Sequence, residues 1–260
     1  MSPKTRSTPH LFKAWEPITA RVRNAKRVVI FLDFDGTLVR IAPLPSGVRL
    51  EKQTREILQK LARNRKVTIA MISGRQRSEL QQHINIRKIK YMGLYGWESK
   101  GNQRVPFEAR EALVRMLVSL LAELPSYPGV WIEPKRNSFS IHLLGAPAET
   151  QMRARELVAK SVKPHKATLK AMSNIRDIEI APVLLGDKGQ AVRKFLDAPA
   201  MRGALPFYFG DDFSDEPAFT ATRGGVPVLV GKRRATQAKY SVRGPAEVAA
   251  ALARIDAAIG

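Results

Sequence analysis

The stretch VVIFLDFDGTL, residues 28–38, is the strongest indication of the fold in this sequence. Its first five residues are apolar and rich in β-branched side chains, which is typical of a strand buried on both faces. Asp33 and Asp35 follow at the end of this run, and Gly36 allows the chain to turn sharply after them. Ligands of an open parallel sheet bind beyond the carboxyl ends of its strands. The stretch therefore predicts a central parallel strand with a ligand site at its end.

Apolar runs of similar length alternate with helical patterns on both sides of this strand. The predicted strands are VTIAMIS (67–73), KYMGLYG (90–96), PFYFG (206–210) and PVLVG (227–231). The predicted helices cover 49–63, 188–197, 214–221 and 245–258. Continuous apolar strands separated by helices indicate an α/β protein whose parallel sheet is covered on both faces.

The middle of the chain follows a different pattern, in which each helix precedes two closely spaced strands. The predicted elements are a helix at 107–124, strands at 130–135 and 139–144, a helix at 148–161, and strands at 168–173 and 177–183. The short turn between the first two strands predicts an antiparallel hairpin. We therefore expect a Rossmann-like parallel-sheet core with an inserted α+β cap domain. The expected boundaries are an N-terminal arm at 1–26, a core at 27–105 and 184–260, and a cap at 106–183.

Composition restricts the chemistry that is available. The chain has no cysteine and only four histidines, which are scattered along the sequence, so a bound metal would be a hard cation held by oxygens. Lys and Arg number 44 against 23 acidic residues, and the resulting net charge of +21 predicts a positive field that attracts anions. The basic residues are scattered and form no recognisable nucleic-acid signature. We therefore expect no specific nucleic-acid partner. We also expect the protein to be a monomer.

No apolar run approaches the roughly 18 residues that span a bilayer. The first 26 residues are basic but lack the apolar stretch of a secretory signal, although an organelle transit peptide remains an alternative for them. We accordingly expect no membrane partner and a cytoplasmic location.

A second acidic cluster lies in YFGDDFSDEPAF, 208–219, at the end of another apolar strand. Its four carboxylates belong to Asp211, Asp212, Asp215 and Glu216. Taken alone, the cluster is equally compatible with the first turn of a surface helix, where acidic residues are favoured. Together with the aspartates of the first strand, it predicts an oxygen-rich site suited to Mg²⁺ and phosphate.

Two smaller features follow other strands of the same predicted sheet. Ser73, Gly74 and Arg75 offer a hydroxyl, backbone N–H groups and a guanidinium to a phosphate. Lys188 stands at the start of a predicted helix, where its ammonium could neutralise a phosphoryl group. Each feature is ordinary by itself, since Ser-Gly is a common turn and most lysines are solvated. Their order along the chain places them in loops at one edge of the sheet.

These motifs resemble those of the haloacid dehalogenase superfamily of phosphohydrolases over nearly the whole chain beyond residue 27. The matching motifs are DFDGT (33–37), Ser73, Lys188 and GDDFSD (210–215). The resemblance implies that Asp33 is the nucleophile and that Asp35 is the general acid and then the general base. It implies Mg²⁺ bound by Asp33, by the backbone carbonyl of Asp35 and by Asp211, with Asp215 as outer support. Lys188 is the third catalytic candidate, and the phosphate-binding candidates are Thr37, Ser73, Gly74, Arg75 and Lys188.

Within that superfamily the chain is most similar to trehalose-6-phosphate phosphatases. The matching stretches are SGR (73–75), GLYGWE (93–98), WIEPKRNSFSIH (131–142), IEIAP (178–182), DKGQA (187–191), GDDFSDEPAF (210–219) and VLVG (228–231). The resemblance implies a Mg²⁺-dependent phosphatase that hydrolyses trehalose 6-phosphate to trehalose and phosphate through an aspartyl-phosphate intermediate. It also implies that the cap residues Glu133, Lys135 and Glu179 contact the sugar.

The chain departs from this family's pattern at three places. Leu144 and Ala181 stand where the family usually has arginine, and Tyr95 stands where it usually has histidine. These departures leave open a second candidate function, hydrolysis of another sugar or glycosyl phosphate. A third candidate of a different class is a non-catalytic basic binding protein on the same fold.

Overall fold

The structure is a computed structural model that describes residues 8–42, 47–99, 105–135, 137–174, 177–232 and 234–260. The chain divides into two compact units. The first unit combines Met1–Gly101 with Asp187–Gly260, and the second is the continuous segment Asn102–Gly186.

The strands and helices alternate in the order that the apolar runs predicted. The strands are β1 (Val28–Leu32), β2 (Val67–Ile72), β3 (Lys90–Met92), β4 (Trp131–Pro134), β5 (Phe139–His142), β6 (Leu169–Ser173), β7 (Asp177–Pro182), β8 (Leu205–Gly210), β9 (Val226–Val230) and β10 (Tyr240–Val242). The helices are α1 (Trp15–Asn24), α2 (Lys52–Arg63), α3 (Arg77–Ile84), α4 (Phe107–Glu123), α5 (Ala148–Val162), α6 (Lys188–Leu196), α7 (Glu216–Ala221) and α8 (Pro245–Ile259).

The first unit is built on a six-stranded parallel sheet in the order β10-β9-β8-β1-β2-β3. β1 is central, and Leu32 at its end pairs with Met71 of β2 and Phe209 of β8. The carboxyl ends of these three strands therefore lie side by side at one edge. This arrangement confirms the predicted α/β class, and it brings the loops after β1, β2 and β8 together.

Helices cover both faces of this sheet. On one face, Leu58 of α2 and Leu252 of α8 join the apolar cluster that contains Ile30. On the other face, Phe31 packs in a second cluster with Phe219 of α7 and residues of α6. All five residues of β1 are buried, which explains why its sequence is a continuous apolar run rather than an alternating one.

The N-terminal segment differs from the arm that the sequence predicted. Residues 8–24 belong to the first unit, where Leu11, Ile18 and Val22 are completely or almost completely buried. His10 forms an isolated β-bridge with Ser241 of β10, so the segment is attached to the edge of the sheet. The expectation of an arm was therefore wrong for this part, and residues 1–7 lie outside the described residues.

The second unit contains a four-stranded antiparallel sheet in the order β4-β5-β7-β6. One face of this sheet is apolar and packs against α4 and α5, where Phe139, Ile180 and Leu120 belong to one apolar cluster. The opposite face carries polar side chains, because successive residues of a strand point to opposite faces. The predicted hairpin is present as the antiparallel pair of β4 and β5.

Among the described residues, every helix is too short or too polar to cross a membrane.

Candidate active site

The turn after β1 brings the first and second acidic motifs together. The backbone N–H of Asp33 donates to the carbonyl of Phe209 at 3.0 Å, which continues the pairing of β1 with β8. Gly36 has a φ of 84°, and a Cβ at this position would lie 2.1 Å from Asp211 Oδ2. Glycine is required here for two reasons, since the backbone is left-handed and the Asp211 carboxylate occupies the space of a side chain.

A buried charge cluster lies at the end of β1. Lys188 Nζ is 3.0 Å from Asp33 Oδ1 and 2.7 Å from Asp215 Oδ1. The hydroxyl of Tyr208 also donates to Asp215 Oδ1, at 2.7 Å, and the backbone N–H of Asp212 donates to Asp215 Oδ2, at 2.9 Å. Asp215 is thus fully engaged by protein groups, and it fixes the ammonium of Lys188 beside Asp33.

Burial controls the ionisation of this cluster. Burial raises the pKa of the Asp33 carboxyl to about 7, and the nearby Lys188 ammonium only partly opposes this shift. Burial by itself would lower the pKa of Lys188, but the carboxylates of Asp215 and Asp33 raise it above its ordinary value. Lys188 is therefore a permanent cation, while Asp33 depends on neighbouring positive charge to remain an anion near neutral pH.

The carboxylates of Asp33, Asp211 and Asp215 form a group that could hold a metal ion. One oxygen of each lies within 4.8 Å of the others. Asp211 Oδ1 also accepts a hydrogen bond of 3.2 Å from the Thr37 hydroxyl. The donor set contains only hard oxygen ligands, which fits a divalent cation such as Mg²⁺. Of these three residues, Asp215 also contacts Lys188, the Tyr208 hydroxyl and the backbone N–H of Asp212.

The side chain of Asp35 lies apart from this group. Its two carboxylate oxygens accept hydrogen bonds of 2.7 and 2.8 Å from Nε and a terminal nitrogen of Arg75. A second terminal nitrogen of Arg75 lies 3.4 Å from His83 Nε2. The carboxylate of Asp35 is therefore paired with the guanidinium of Arg75. Arg75, predicted to bind phosphate, contacts the predicted acid–base residue.

The loop after β2 is compact. Ser73 is buried, and its hydroxyl accepts a hydrogen bond of 3.2 Å from the backbone N–H of Arg75. A Cβ at Gly74 would lie 2.8 Å from the Tyr95 hydroxyl, so a side chain at position 74 would displace the tyrosine. Tyr95 itself has a φ of 58°, an uncommon conformation for a bulky residue. The residue that replaces the family's histidine is therefore packed on the predicted phosphate-binding loop.

The predicted sugar-binding residues lie on the polar face of the second unit. Lys135 Nζ is 2.8 Å from Glu179 Oε2, and the Ser140 hydroxyl donates to the same oxygen. Burial alone would lower the pKa of Lys135, but the carboxylate of Glu179 raises it. Glu179 is 1% exposed, and its Oε1 has no hydrogen-bond partner in the described part of the chain. Glu133 is paired separately, with its Oε2 2.8 Å from His142 Nε2.

Sequence patterns did not predict one residue and one ion pair that shape the first unit's site. The residue is Tyr208, which lies inside an apolar strand and differs from ordinary core only by its hydroxyl, three positions before the first carboxylate of the acidic cluster. The ion pair of Arg75 with Asp35 was also missed, because it joins residues 40 positions apart. Its signal was the proximity of the loops after β1 and β2, which parallel pairing predicts.

A parallel α/β sheet with a buried Asp–Lys pair and an acidic cluster at its carboxyl edge defines a phosphatase of the haloacid dehalogenase fold. Comparisons with known proteins identify the family. The family model described as "Trehalose-phosphatase" matches residues 31–246. The chain belongs to the trehalose-phosphatase family. This membership confirms the predicted phosphatase and argues against the non-catalytic alternative.

Individual relatives agree with this placement. Trehalose-phosphate phosphatase B of Arabidopsis thaliana is 31% identical over 88% of this chain and 66% of that protein. Trehalose-phosphate phosphatase of Mycobacterium bovis is 31% identical over 86% of this chain and 60% of that protein. The C-terminal domain of Candida albicans trehalose-6-phosphate phosphatase shares the fold, with a TM-score of 0.84, 20% identity, and coverage of 97% of this chain and 99% of that one. The chain thus spans about two thirds of the length of these sequence relatives.

Proposed function

We propose that this protein hydrolyses trehalose 6-phosphate to trehalose and phosphate through an aspartyl-phosphate on Asp33. The observation that carries this proposal is the position of Lys188, whose ammonium lies 3.0 Å from Asp33 Oδ1 at the end of β1. A carboxylate needs such a cation beside it to approach a phosphate dianion. The membership of the trehalose-phosphatase family supports the choice of substrate.

The proposed reaction has two displacements. In the first, a carboxylate oxygen of Asp33 attacks phosphorus while the ester bond to the sugar oxygen breaks. Asp35 gives its proton to that oxygen and then takes a proton from the water that hydrolyses the aspartyl-phosphate. Lys188 and the Ser73 hydroxyl stabilise the negative charge on the equatorial oxygens, with Thr37, Gly74 and Arg75 as further phosphate-binding candidates.

We propose Mg²⁺ as the metal of this site, held by Asp33, Asp211 and the backbone carbonyl of Asp35, with Asp215 as outer support. When bound, the ion would reduce the repulsion between the Asp33 carboxylate and the phosphate. The all-oxygen donor set supports Mg²⁺ over metals that prefer nitrogen or sulfur ligands.

We propose that Glu133, Lys135 and Glu179 bind the sugar. The buried Glu179 Oε1, which lacks a protein partner among the described residues, supports this role, since an unpaired buried carboxylate oxygen is costly unless a ligand hydroxyl donates to it. The monomeric state and the cytoplasmic location expected from the sequence remain predictions.

The experiment is a phosphate-release assay with Mg²⁺ on trehalose 6-phosphate, sucrose 6-phosphate, glucose 6-phosphate and p-nitrophenyl phosphate. We expect trehalose 6-phosphate to give the highest kcat/KM, and Asp33→Asn to lower turnover by several orders of magnitude. Asp256→Asn is the matched control, because it removes the same charge from α8, where Asp256 forms an ion pair with Lys60. A higher kcat/KM for another sugar phosphate would show that trehalose 6-phosphate is not the preferred substrate. Asp33→Asn activity above about a tenth of wild type would reject the nucleophile.

A further inference from the structure

A tryptophan is exposed on the same polar face of the second unit that carries the proposed sugar-binding residues. Trp131 begins β4, and its partner in the antiparallel pairing with β5 is His142. Glu133, two residues further along β4, points to the same face and pairs in register with Ser140. Ser140 in turn pairs with Glu179 on β7. On this face, the row that contains Trp131 is therefore adjacent to the row that contains Glu179, the partner of Lys135.

The Trp131 ring stacks on a neighbouring imidazole while part of the residue remains exposed to solvent. The ring stacks on the His142 imidazole with centroids 3.8 Å apart and planes inclined by 13°. His142 is held in place by Glu133, through the 2.8 Å contact of its Nε2 with the carboxylate. Trp131 nevertheless remains 37% exposed. The stack thus fixes the orientation of a large aromatic surface that is accessible to a ligand.

This arrangement has the chemistry of a saccharide subsite. A pyranose ring has one face of C–H groups and a rim of hydroxyls, so it can pack on an aromatic ring while its hydroxyls bond to neighbouring polar groups. Glu133 accepts hydrogen bonds, and the indole N–H donates one. We propose that Trp131 is a sugar-stacking residue that determines the preference of this enzyme for a glycosyl leaving group. The proposal rests on the proposed function, because it assigns a further contact to the same substrate.

A purely structural role is the competing explanation. β4 is the edge strand of its sheet, and a cross-strand aromatic pair stabilises such a strand. This role would be lost in the alanine variant without any effect on the choice of substrate. The test therefore compares substrates with and without a sugar, in addition to measuring stability.

The first experiment measures kcat/KM of the full chain for trehalose 6-phosphate and for glycerol 2-phosphate. The acyclic substrate is chosen because an aromatic one could itself stack on the tryptophan. We expect Trp131→Ala to lower kcat/KM for trehalose 6-phosphate about tenfold, mainly through KM, and to change the glycerol 2-phosphate value less than about twofold. Trp131→Phe should restore most of the loss. Met152→Ala is the control, since Met152 is 57% exposed on α5 and lies off the sheet.

The second experiment does not depend on turnover. Trehalose is titrated into the protein while tryptophan fluorescence is recorded, and Trp15→Phe and Trp131→Phe are compared with wild type. A signal that persists in Trp15→Phe and disappears in Trp131→Phe supports the stacking contact. If Trp131→Ala leaves the ratio of the two kcat/KM values unchanged, whether or not both values fall, the stacking proposal is overturned while the proposed function stands. If the wild type fails to hydrolyse trehalose 6-phosphate at all, the proposed function itself is rejected.

Discussion

Lys188 is a buried ammonium whose charge is shared by two carboxylates. It is 2% exposed, and it contacts both Asp33 and Asp215. A buried cation of this kind depends on neighbouring carboxyl groups to compensate its charge, and the removal of one member of such a cluster is strongly destabilising. The residue therefore links catalysis with folding stability.

We expect Lys188→Met to lower the free energy of unfolding by about 3–5 kcal/mol as well as to abolish activity, because it leaves two carboxylates unpaired. Urea denaturation measures the loss. The double variant Lys188→Met/Asp215→Asn should be more stable than the single one, since it removes one of the unpaired charges. Equal stability of the two variants would show that charge compensation is not what Lys188 provides.

Arg75 is the second residue whose contacts suggest a specific role. Its two-point hydrogen bonding to Asp35 fixes the position of the carboxylate that we propose as the acid. We expect Arg75→Ala to reduce turnover of trehalose 6-phosphate more than that of p-nitrophenyl phosphate, whose leaving group needs little protonation. If Arg75 acts through Asp35, then Arg75→Ala should add little to the defect of Asp35→Asn. Additive defects would instead indicate that Arg75 binds phosphate directly.

At the scale of the elements, the loop after β1 depends on a single glycine. Gly36 combines a φ of 84° with a Cβ position 2.1 Å from the Asp211 carboxylate. We expect Gly36→Ala to push Asp211 away and to raise the Mg²⁺ concentration needed for half-maximal activity. An activity titration with MgCl₂ measures this shift. Gly203→Ala is the control, because Gly203 also has positive φ, at 71°, but has no atom within 4 Å of the added Cβ. The prediction fails if both variants need the same Mg²⁺ concentration.

The elements that sequence predicted are those whose pattern follows from burial. β1, β2, β8 and β9 lie between helices, so their sequences are predominantly apolar, and the predicted fold class is confirmed. α1 was missed because it is short and only Ile18 and Val22 of its residues are buried, which gives too weak an apolar pattern. β10 was missed because three residues are too few for a pattern.

In the candidate site, too, some features follow from the sequence pattern and others depend on tertiary contacts. Motif spacing was sufficient to predict the grouping of Asp33 with Asp211 and Asp215, since these residues follow neighbouring parallel strands. Side-chain partners were not predictable, because they depend on tertiary contacts. The pairings of Asp35 with Arg75 and of Tyr208 with Asp215 are the examples.

At the scale of the whole molecule, the raised pKa of Asp33 connects pH, metal and stability. The folded protein retains a proton on Asp33 up to about pH 7, whereas an unfolded chain releases it near 3.8. The resulting stabilisation is complete below the lower value and is lost as the pH rises towards 7. Without metal, we therefore expect the Tm of the wild type to fall between pH 5 and pH 7 relative to that of Asp33→Asn, which cannot titrate.

Added Mg²⁺ should remove this relative fall, because a cation beside Asp33 favours its anionic form in the folded state. Thermal denaturation in EDTA and in MgCl₂, at the two pH values, provides the comparison. A wild-type Tm that rises relative to Asp33→Asn between pH 5 and pH 7 in EDTA would contradict the prediction.

The division of the first unit into two segments of the chain has a consequence for its biosynthesis. The second unit is continuous, so its residues are all available before the ribosome reaches β8. By contrast, Thr37 and its hydrogen-bond partner Asp211 are separated by 174 positions. At bacterial or eukaryotic elongation rates, this interval corresponds to on the order of ten to thirty seconds. Until α6 and β8 have been translated, Asp33 lacks Lys188 and β1 lacks its neighbour β8, so we expect the nascent chain to be inactive over most of this interval.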